Sequence, residues 1–260
     1  MKICLCGMLV VALLVSACGQ RQLEPDEAIE CDRCDSWNEP QDPFRVHGNT
    51  WYVGTKGLSS ILIETAEGLI LIDGGLPQSA ALIDANVRDL GFDPNEIKAI
   101  LVSHAHYDHV GGIAALQRLT GANVYANQAA IQTLTAGALN EDDPQYVADS
   151  DQGSFPPVRQ VVAVDNGGVV TVGSIGVQAV YTPGHTPGST TWTWQSCALN
   201  TWPLVFESSN TGSRAPGITD STAFGASSLP MSVRSQPGSS AFIVTLPPAN
   251  TGLISRVYFS

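Results

Sequence analysis

Residues 103–112 have the sequence "SHAHYDHVGG" and concentrate metal-binding side chains near the middle of the chain. His104, His106, Asp108 and His109 can each bind a divalent metal, and the chain has only five histidines in all. In an extended segment, side chains two residues apart point the same way, so His104 and His106 can reach one ion. Asp108 and His109 follow where the chain turns toward the next helix, and they can reach a neighbouring position. Imidazole and carboxylate ligands of this kind are typical of zinc.

The segments around this cluster predict a layered α/β domain. Short apolar runs bounded by turn residues predict strands, and apolar residues at helical spacing predict helices. Strands followed by alternating helices and strands, and then by more strands, are typical of sheets covered by helices. The predicted strands are "WYVG", "SSILIETAEGLILIDGG" with a turn at "AEG", "IKAILVS", "ANVYAN", "GGVVTVGSIGVQAVY" and "GSTTWTWQS", and the predicted helices are "PQSAALIDANVRDLG", "VGGIAALQRLTG" and "QAAIQTLTAG".

Two of the histidines and one long loop lie outside the cluster. His185 lies in "TPGHTPG", a tight loop at the end of a predicted strand, and this context favours a ligand role. His47 lies in a predicted strand, and we interpret it as an ordinary core or surface residue. Residues 137–157 are acidic, with Gly and Pro, and predict a long loop of the kind that is often functional.

Length and charge limit the classes of partner. A chain of 260 residues can form one large domain or two small ones. Its formal net charge of −12 argues against a polyanionic partner such as nucleic acid. We expect a small-molecule substrate and a monomer.

The N-terminus predicts export. Residues 1–18 have one lysine and an apolar run too short to span a bilayer, and "VSAC" resembles a lipoprotein cleavage site with Cys18 as the lipidated residue. The alternative is an ordinary signal peptide cleaved nearby. Either form predicts a periplasmic protein, and lipidation would anchor it to a membrane, such as the outer membrane. Residues 19–43 predict a mature N-terminal arm, in which Cys31 and Cys34 favour a disulfide, local or longer-range, over half a zinc site.

Several separate motifs together resemble one family. "HAHYDH", with "GLILIDGG" upstream and "TPGHTPGS" downstream, is similar to the metallo-β-lactamase superfamily. "WNEPQDPFRVHGNTWYVGTKGLSSILI" and "GSTTWTWQSC" resemble its class B β-lactamases of the third subclass. The resemblance runs from about residue 31 to residue 197. It implies an αββα sandwich, with residues 44–197 as the metallo-hydrolase domain and a two-zinc site at one edge of the sheets.

The resemblance also implies roles for the residues of the cluster. His104, His106 and His185 would hold the first zinc, and Asp108 and His109 the second. Asp73 of "LIDGG" would support the site from behind, although it could also be a turn residue that closes a strand. The implied reaction is the opening of the β-lactam amide bond of antibiotics by a metal-bound hydroxide, which Asp108 orients as the catalytic residue. The chain has no "SxxK" motif that would indicate a serine β-lactamase.

Residues 198–260 depart from the family pattern. The family needs a third protein ligand on the second zinc, and this chain has no histidine after His185. Cys197 follows His185 too closely to replace it. One hypothesis is a shift of reading frame near residue 198, which other frames of the gene would reveal. The alternative is a divergent tail, in which "ITDST" and Ser221 would contact substrate. Either way, we expect an incomplete second zinc site and impaired activity.

Two alternative functions stay open at this point. Enzymes of the same fold that act on a lactone, thioester or phosphodiester share the central cluster, although the motifs near residues 37–63 and 189–197 favour a β-lactamase. The third interpretation is a non-catalytic, exported metal-binding lipoprotein.

Overall fold

The computed structural model describes residues 21–196 and the backbone of three strands further along the chain. Its helices are α1 (Cys34–Trp37), α2 (Ser79–Asp89), α3 (Tyr107–Val110), α4 (Ile113–Thr120) and α5 (Ile131–Ala136), with 3-10 turns at Pro94–Glu96 and Gln128–Ala130. Its strands are β1 (Phe44–His47), β2 (Thr50–Tyr52), β3 (Ile61–Thr65), β4 (Gly68–Ile72), β5 (Ile97–Leu101), β6 (Asn123–Ala126), β7 (Val161–Ala163), β8 (Val169–Val172), β9 (Ile175–Tyr181), β10 (Thr190–Thr193), β11 (Leu204–Ser208), β12 (Phe242–Val244) and β13 (Ser255–Phe259).

The large sheet has seven strands in the order β1 to β7. The first four strands pair antiparallel, whereas β4, β5, β6 and β7 are parallel neighbours. Parallel neighbours need a crossover, and α2 and α4 supply it between β4 and β5 and between β5 and β6. The carboxyl ends of β4 and β5 therefore meet at one edge of the sheet, and the histidine cluster follows β5 there.

Each face of the large sheet has its own hydrophobic core. On one face, Ile83 and Val87 of α2 and Ile113 and Leu116 of α4 pack against the sheet. On the other face, the sheet packs against a second sheet with the order β10-β9-β8, around the fully buried Trp192. The result is a helical layer, a large sheet and a smaller sheet stacked in that order.

This arrangement confirms the α/β fold class expected from the sequence. The helices predicted for residues 77–91 and 110–121 form as α2 and α4, and α4 ends at Gly121, whose φ of +70° suits glycine. Between residues 21 and 196 no second helical layer covers the small sheet, because α2, α4 and α5 all pack in the first core.

The sequence predictions were less complete at short elements. Strand β7 was not predicted, and the predicted helix at 128–137 begins as a 3-10 turn before α5. The N-terminal arm contains the short helix α1, closed by a local disulfide between Cys31 and Cys34. The structure therefore confirms the disulfide interpretation of "CDRC" in its local form.

The later strands form a separate three-stranded sheet with the order β11-β13-β12. Strands β12 and β13 coincide with the apolar segments "FIVTL" and "LISRVYF" of the sequence. The signal segment, Cys18, Cys197 and Ser221 lie outside the described residues, so the predictions about them stay predictions. In the described part of the chain, no helix has both the length and the apolar character needed to cross a bilayer.

Candidate metal centre

Backbone hydrogen bonds fix the histidine cluster against the loop that follows β4. The Gly74 N–H donates to the His109 carbonyl at 2.7 Å, and the Gly112 N–H donates to the Gly75 carbonyl at 3.2 Å. A Cβ atom at Gly112 would lie 2.4 Å from the Gly74 carbonyl oxygen, so only glycine permits this approach. The "LIDGG" and "HVGG" segments thus hold helix α3 directly over the end of β4.

A second set of contacts brings His185 to the same place. His185 lies in the loop between β9 and β10, about eighty residues further along the chain. The Thr190 N–H donates to the Ser103 carbonyl at 2.7 Å, and Trp192 Nε1–H donates to the Val102 carbonyl at 3.0 Å. These two bonds join the start of β10 to the segment that leads from β5 into the cluster, so the two loops face each other.

The side chains form two groups of candidate metal ligands. The donor atoms of His104, His106 and His185 lie within 4.8 Å of one another, and so do those of His104, Asp108 and His109. His104 belongs to both groups, which makes the two positions adjacent. All five residues that the sequence singled out as ligands are therefore brought together, whereas His47 belongs to neither group.

The donor atoms fit a zinc ion at the first position. Nδ1 of His106 lies 3.0 Å from Nε2 of His185, so two nitrogen lone pairs face one small space. Nδ1 of His104 contacts Ser103 Oγ at 3.2 Å, which leaves Nε2 of His104 for a metal. Three imidazoles converging in this way are a typical zinc ligand set with one position left for water or substrate.

Asp73 supports the second group from beneath. Its Oδ1 accepts from the Ser103 N–H at 2.8 Å, and its Oδ2 lies 2.9 Å from Nδ1 of His109. Because a carboxylate only accepts, His109 donates its Nδ1–H and keeps Nε2 for a metal. Asp73 is buried and has a φ of +59°, a conformation that Asp and Asn tolerate better than most residues. The structure thus gives Asp73 both a turn conformation and a contact with the site.

The environment of the site disfavours protonation of two of its histidines, His104 and His185. Burial, followed by the nearby His109, His106 and His185, lowers the pKa of His104 well below its ordinary value. Burial, and then His106 and His109, also lowers the pKa of His185. His109 differs: burial alone would lower its pKa, but Asp108 and Asp73 raise it overall. Neutral imidazoles are the form that binds metal, so the lowered pKa values of His104 and His185 favour metal binding at these two residues.

The sequence patterns did not identify one residue of the site, Asp143. Asp143 lies in the loop between α5 and β7, and both of its carboxylate oxygens are 3.1 Å from Nε2 of His106. It is one of several acidic residues in that loop, and no spacing or motif distinguishes it from Asp142 or Glu141.

Comparison with known proteins places these features in one family. The family model described as the metallo-beta-lactamase superfamily matches residues 53–197, which is more than half of the chain. The chain belongs to the metallo-beta-lactamase superfamily. The match ends at the residue where the sequence resemblance also stops, and it contains every candidate ligand named above.

Solved metallo-β-lactamase structures align with most of the chain. The Rm3 metallo-beta-lactamase is 45% identical, with a TM-score of 0.66 over 75% of this chain and 72% of that chain. MEM-A1, a subclass B3 metallo-beta-lactamase from a soil metagenome library, is 44% identical, with a TM-score of 0.64 over 70% of this chain and 68% of that chain. The predicted enzyme class, a hydrolase of the metallo-β-lactamase type, is confirmed by this likeness.

A curated relative is similar over a shorter region. Exodeoxyribonuclease WalJ of Streptococcus pneumoniae serotype 2 (strain D39 / NCTC 7466) is 33% identical over 81 residues, which are 31% of this chain. The chain covers only 29% of the length of that relative. The superfamily match and the solved structures indicate a metal-dependent hydrolase, whereas this short match does not assign a substrate.

Proposed function

We propose that the protein is a zinc-dependent hydrolase that opens the β-lactam amide bond. The observation that carries the proposal is the pair of adjacent ligand groups that share His104. It occurs in a chain that is 44% to 45% identical to solved metallo-β-lactamases over most of both chains. Likeness of this extent favours a β-lactam over the other substrates that enzymes of this fold hydrolyse.

The chain's own residues supply orientation and proton transfer. Zinc bound by this ligand set supplies a nucleophile from water at neutral pH and polarises a carbonyl group. The Asp108 side chain is largely buried in the first turn of α3, and its Oδ2 lies 3.7 Å from Nε2 of His109. From there its carboxylate can accept a proton from the attacking water and pass it to the leaving nitrogen. No serine or cysteine nucleophile is needed for this route.

A cleft large enough for a small molecule lies beside α3 at Tyr107. It has a volume of about 620 Å³, within the range of ligand pockets, and Trp37, Tyr107 and Gly153 contribute to its walls. The rings of Trp37 and Tyr107 lie 6.5 Å apart between centroids and give the cleft an aromatic side. The N-terminal arm and the long loop therefore both lie beside α3 at Tyr107.

The two metal positions should differ in affinity. The first has three histidines, because Nδ1 of His104 contacts Ser103 and Nε2 of His104 serves that position, whereas the second is left with Asp108 and His109. Because an ion held by fewer protein ligands binds more weakly, we expect zinc to fill the first position before the second. Impaired activity, relative to an enzyme with a complete second site, is part of this proposal.

A phosphodiester is the second candidate substrate. The match to an exodeoxyribonuclease favours it, but that match covers only 31% of this chain. The net charge of −12 would repel a nucleic acid unless bound metal compensated for it locally. We therefore place the β-lactam first.

Export through the N-terminal segment is the other part of the proposal. The Cys31–Cys34 disulfide supports it, since such bonds persist mainly in oxidising compartments. Labelling with a radioactive fatty acid in cells would test the lipid anchor, and Cys18→Ala should abolish the label. An unlabelled parent protein would contradict lipidation. That the protein is a monomer stays a prediction.

A panel of substrates tests the proposed function. The purified full chain, loaded with zinc, is assayed with nitrocefin, an acyl homoserine lactone and bis-p-nitrophenyl phosphate, with and without a chelator. We expect chelator-sensitive hydrolysis of nitrocefin and much slower turnover of the others. Faster hydrolysis of the phosphodiester or the lactone would overturn the proposal in favour of that substrate.

A further inference from the structure

His106 has a carboxylate partner on the side of its ring that faces away from the first metal position. Its Nε2 lies 3.1 Å from both oxygens of Asp143, while its Nδ1 faces His185. The side chains of His106 and Asp143 are only 3% and 5% exposed. A buried carboxylate next to an imidazole is costly unless the two groups are hydrogen-bonded, so the contact is a specific one.

The loop that carries Asp143 is built to point it inward. The Asp143 N–H donates to the Asn140 carbonyl at 3.0 Å, and its Oδ1 accepts from the Gln145 N–H at 2.8 Å. Asn140 is in turn held by its Nδ2–H bond to Thr133 Oγ1 of α5, at 3.2 Å. Asp143 is thus buried in a hydrogen-bonded turn, whereas its neighbour Asp142 is exposed.

The base of the loop is also fixed. The Phe155 N–H donates to the Gly137 carbonyl at 2.9 Å, and the Phe155 ring lies in the main hydrophobic core. A long loop closed at its base and held by a buried side chain behaves as a unit. Its path therefore determines where the Asp143 carboxylate lies relative to His106.

We propose that Asp143 is a positioning residue for the first metal site. Because a carboxylate only accepts hydrogen bonds, Asp143 accepts one from the Nε2–H of His106. This bond fixes the tautomer of His106 that presents the Nδ1 lone pair to the metal. Asp73 acts in the same way on His109, but it lies at the end of a central strand, whereas Asp143 lies in a loop. The loop at 137–157 therefore contributes to metal affinity as well as to the wall of the cleft beside α3. This inference rests on the metal site of the proposed function but not on its substrate.

Metal binding by the full chain tests this inference without any substrate. Zinc affinity is measured by competition with a chromophoric chelator for the parent and for Asp143→Ala, Asp143→Asn and Asp142→Ala. We expect Asp143→Ala to weaken the tightest zinc site about 10- to 100-fold, as loss of such partners typically does. Asp143→Asn, which keeps one acceptor oxygen, should lose less, and the matched control Asp142→Ala should bind zinc as the parent does. An Asp143→Ala protein that is folded by circular dichroism and binds zinc within twofold of the parent would overturn the inference.

The tautomer of His106 gives a second readout on the metal-free parent protein, so the test does not depend on a variant that folds. Nitrogen-15 NMR should show His106 protonated at Nε2 and unprotonated at Nδ1. A proton on Nδ1 would overturn the inference. If the parent binds zinc as expected but does not open nitrocefin, the proposed substrate fails while the role of Asp143 stands.

Discussion

Replacing Asp73 with asparagine should destabilise the fold and weaken the metal site together. Oδ2 of Asp73 accepts from Ser103 Oγ–H at 2.5 Å and from His109 Nδ1–H at 2.9 Å, and an amide NH2 in that position can accept neither bond. Hydrogen bonds to charged groups contribute about 1.5–3 kcal/mol each, which gives about 3–6 kcal/mol for the pair. The neutral amide avoids the desolvation cost of a buried charge, so we expect a loss near 3 kcal/mol in the free energy of unfolding.

Urea denaturation of the metal-free protein, followed by tryptophan fluorescence, measures this loss. Asparagine tolerates the φ of +59° at this position, so backbone strain does not contribute to the change. Asp84→Asn is the matched control, because it breaks only a surface ion pair with Arg88 and should cost less than about 0.5 kcal/mol. We also expect Asp73→Asn to weaken zinc binding about 10- to 100-fold. A denaturation midpoint and a zinc affinity equal to those of the parent would refute the supporting role of Asp73.

Two further predictions concern the core and the pH dependence. Trp192 is fully buried between the sheets, so Trp192→Ala should cost about 3–5 kcal/mol of unfolding free energy in the same assay, whereas the half-exposed Val180→Ala should cost far less; equal losses for the two would contradict the packing described. Burial lowers the pKa of His104 well below its ordinary value of 6.5. Below that pH the unfolded chain therefore binds a proton that native His104 does not. Stability of the metal-free protein should fall as the pH falls below 6.5, with a contribution from this residue that approaches about 1.4 kcal/mol per pH unit. Denaturation curves measured at several pH values below 6.5 should show this slope in the free energy of unfolding, and His104→Gln should reduce the slope. A parent protein whose stability does not change with pH would count against the lowered pKa of His104.

Local patterns were enough to predict the elements that position the site. The apolar run before Ser103, the helical spacing in α2 and α4 and the glycine stops each act through neighbouring residues, and they predict the same elements that the structure has. His185 could be assigned because its "PGHTPG" loop is itself distinctive. The resemblance to a family then placed it beside His104, which no local pattern could do.

Other features depend on how distant segments meet. Asp143 is one of several carboxylates in its loop, and only the folded path of that loop brings it within 3.1 Å of His106. Strand β7 has three residues, too few to show a pattern, and it is defined by its pairing with β6. For Cys31 and Cys34, the lack of a second cysteine pair in the mature chain argued against a complete zinc site. It did not decide between a local disulfide and a longer-range one. Past residue 197 the family match ends, so the sequence offers no template for the tail.

The most direct test of the proposed zinc hydrolase is to return zinc stepwise to the metal-free full chain while the rate of nitrocefin hydrolysis is followed. Because the first position has three histidine ligands, we predict no hydrolysis without metal and a rate that rises as the tightest site fills. Circular dichroism on each sample confirms that the protein stays folded. A metal-free protein that hydrolyses nitrocefin, or a folded and zinc-saturated protein that leaves it intact, would contradict the proposed function.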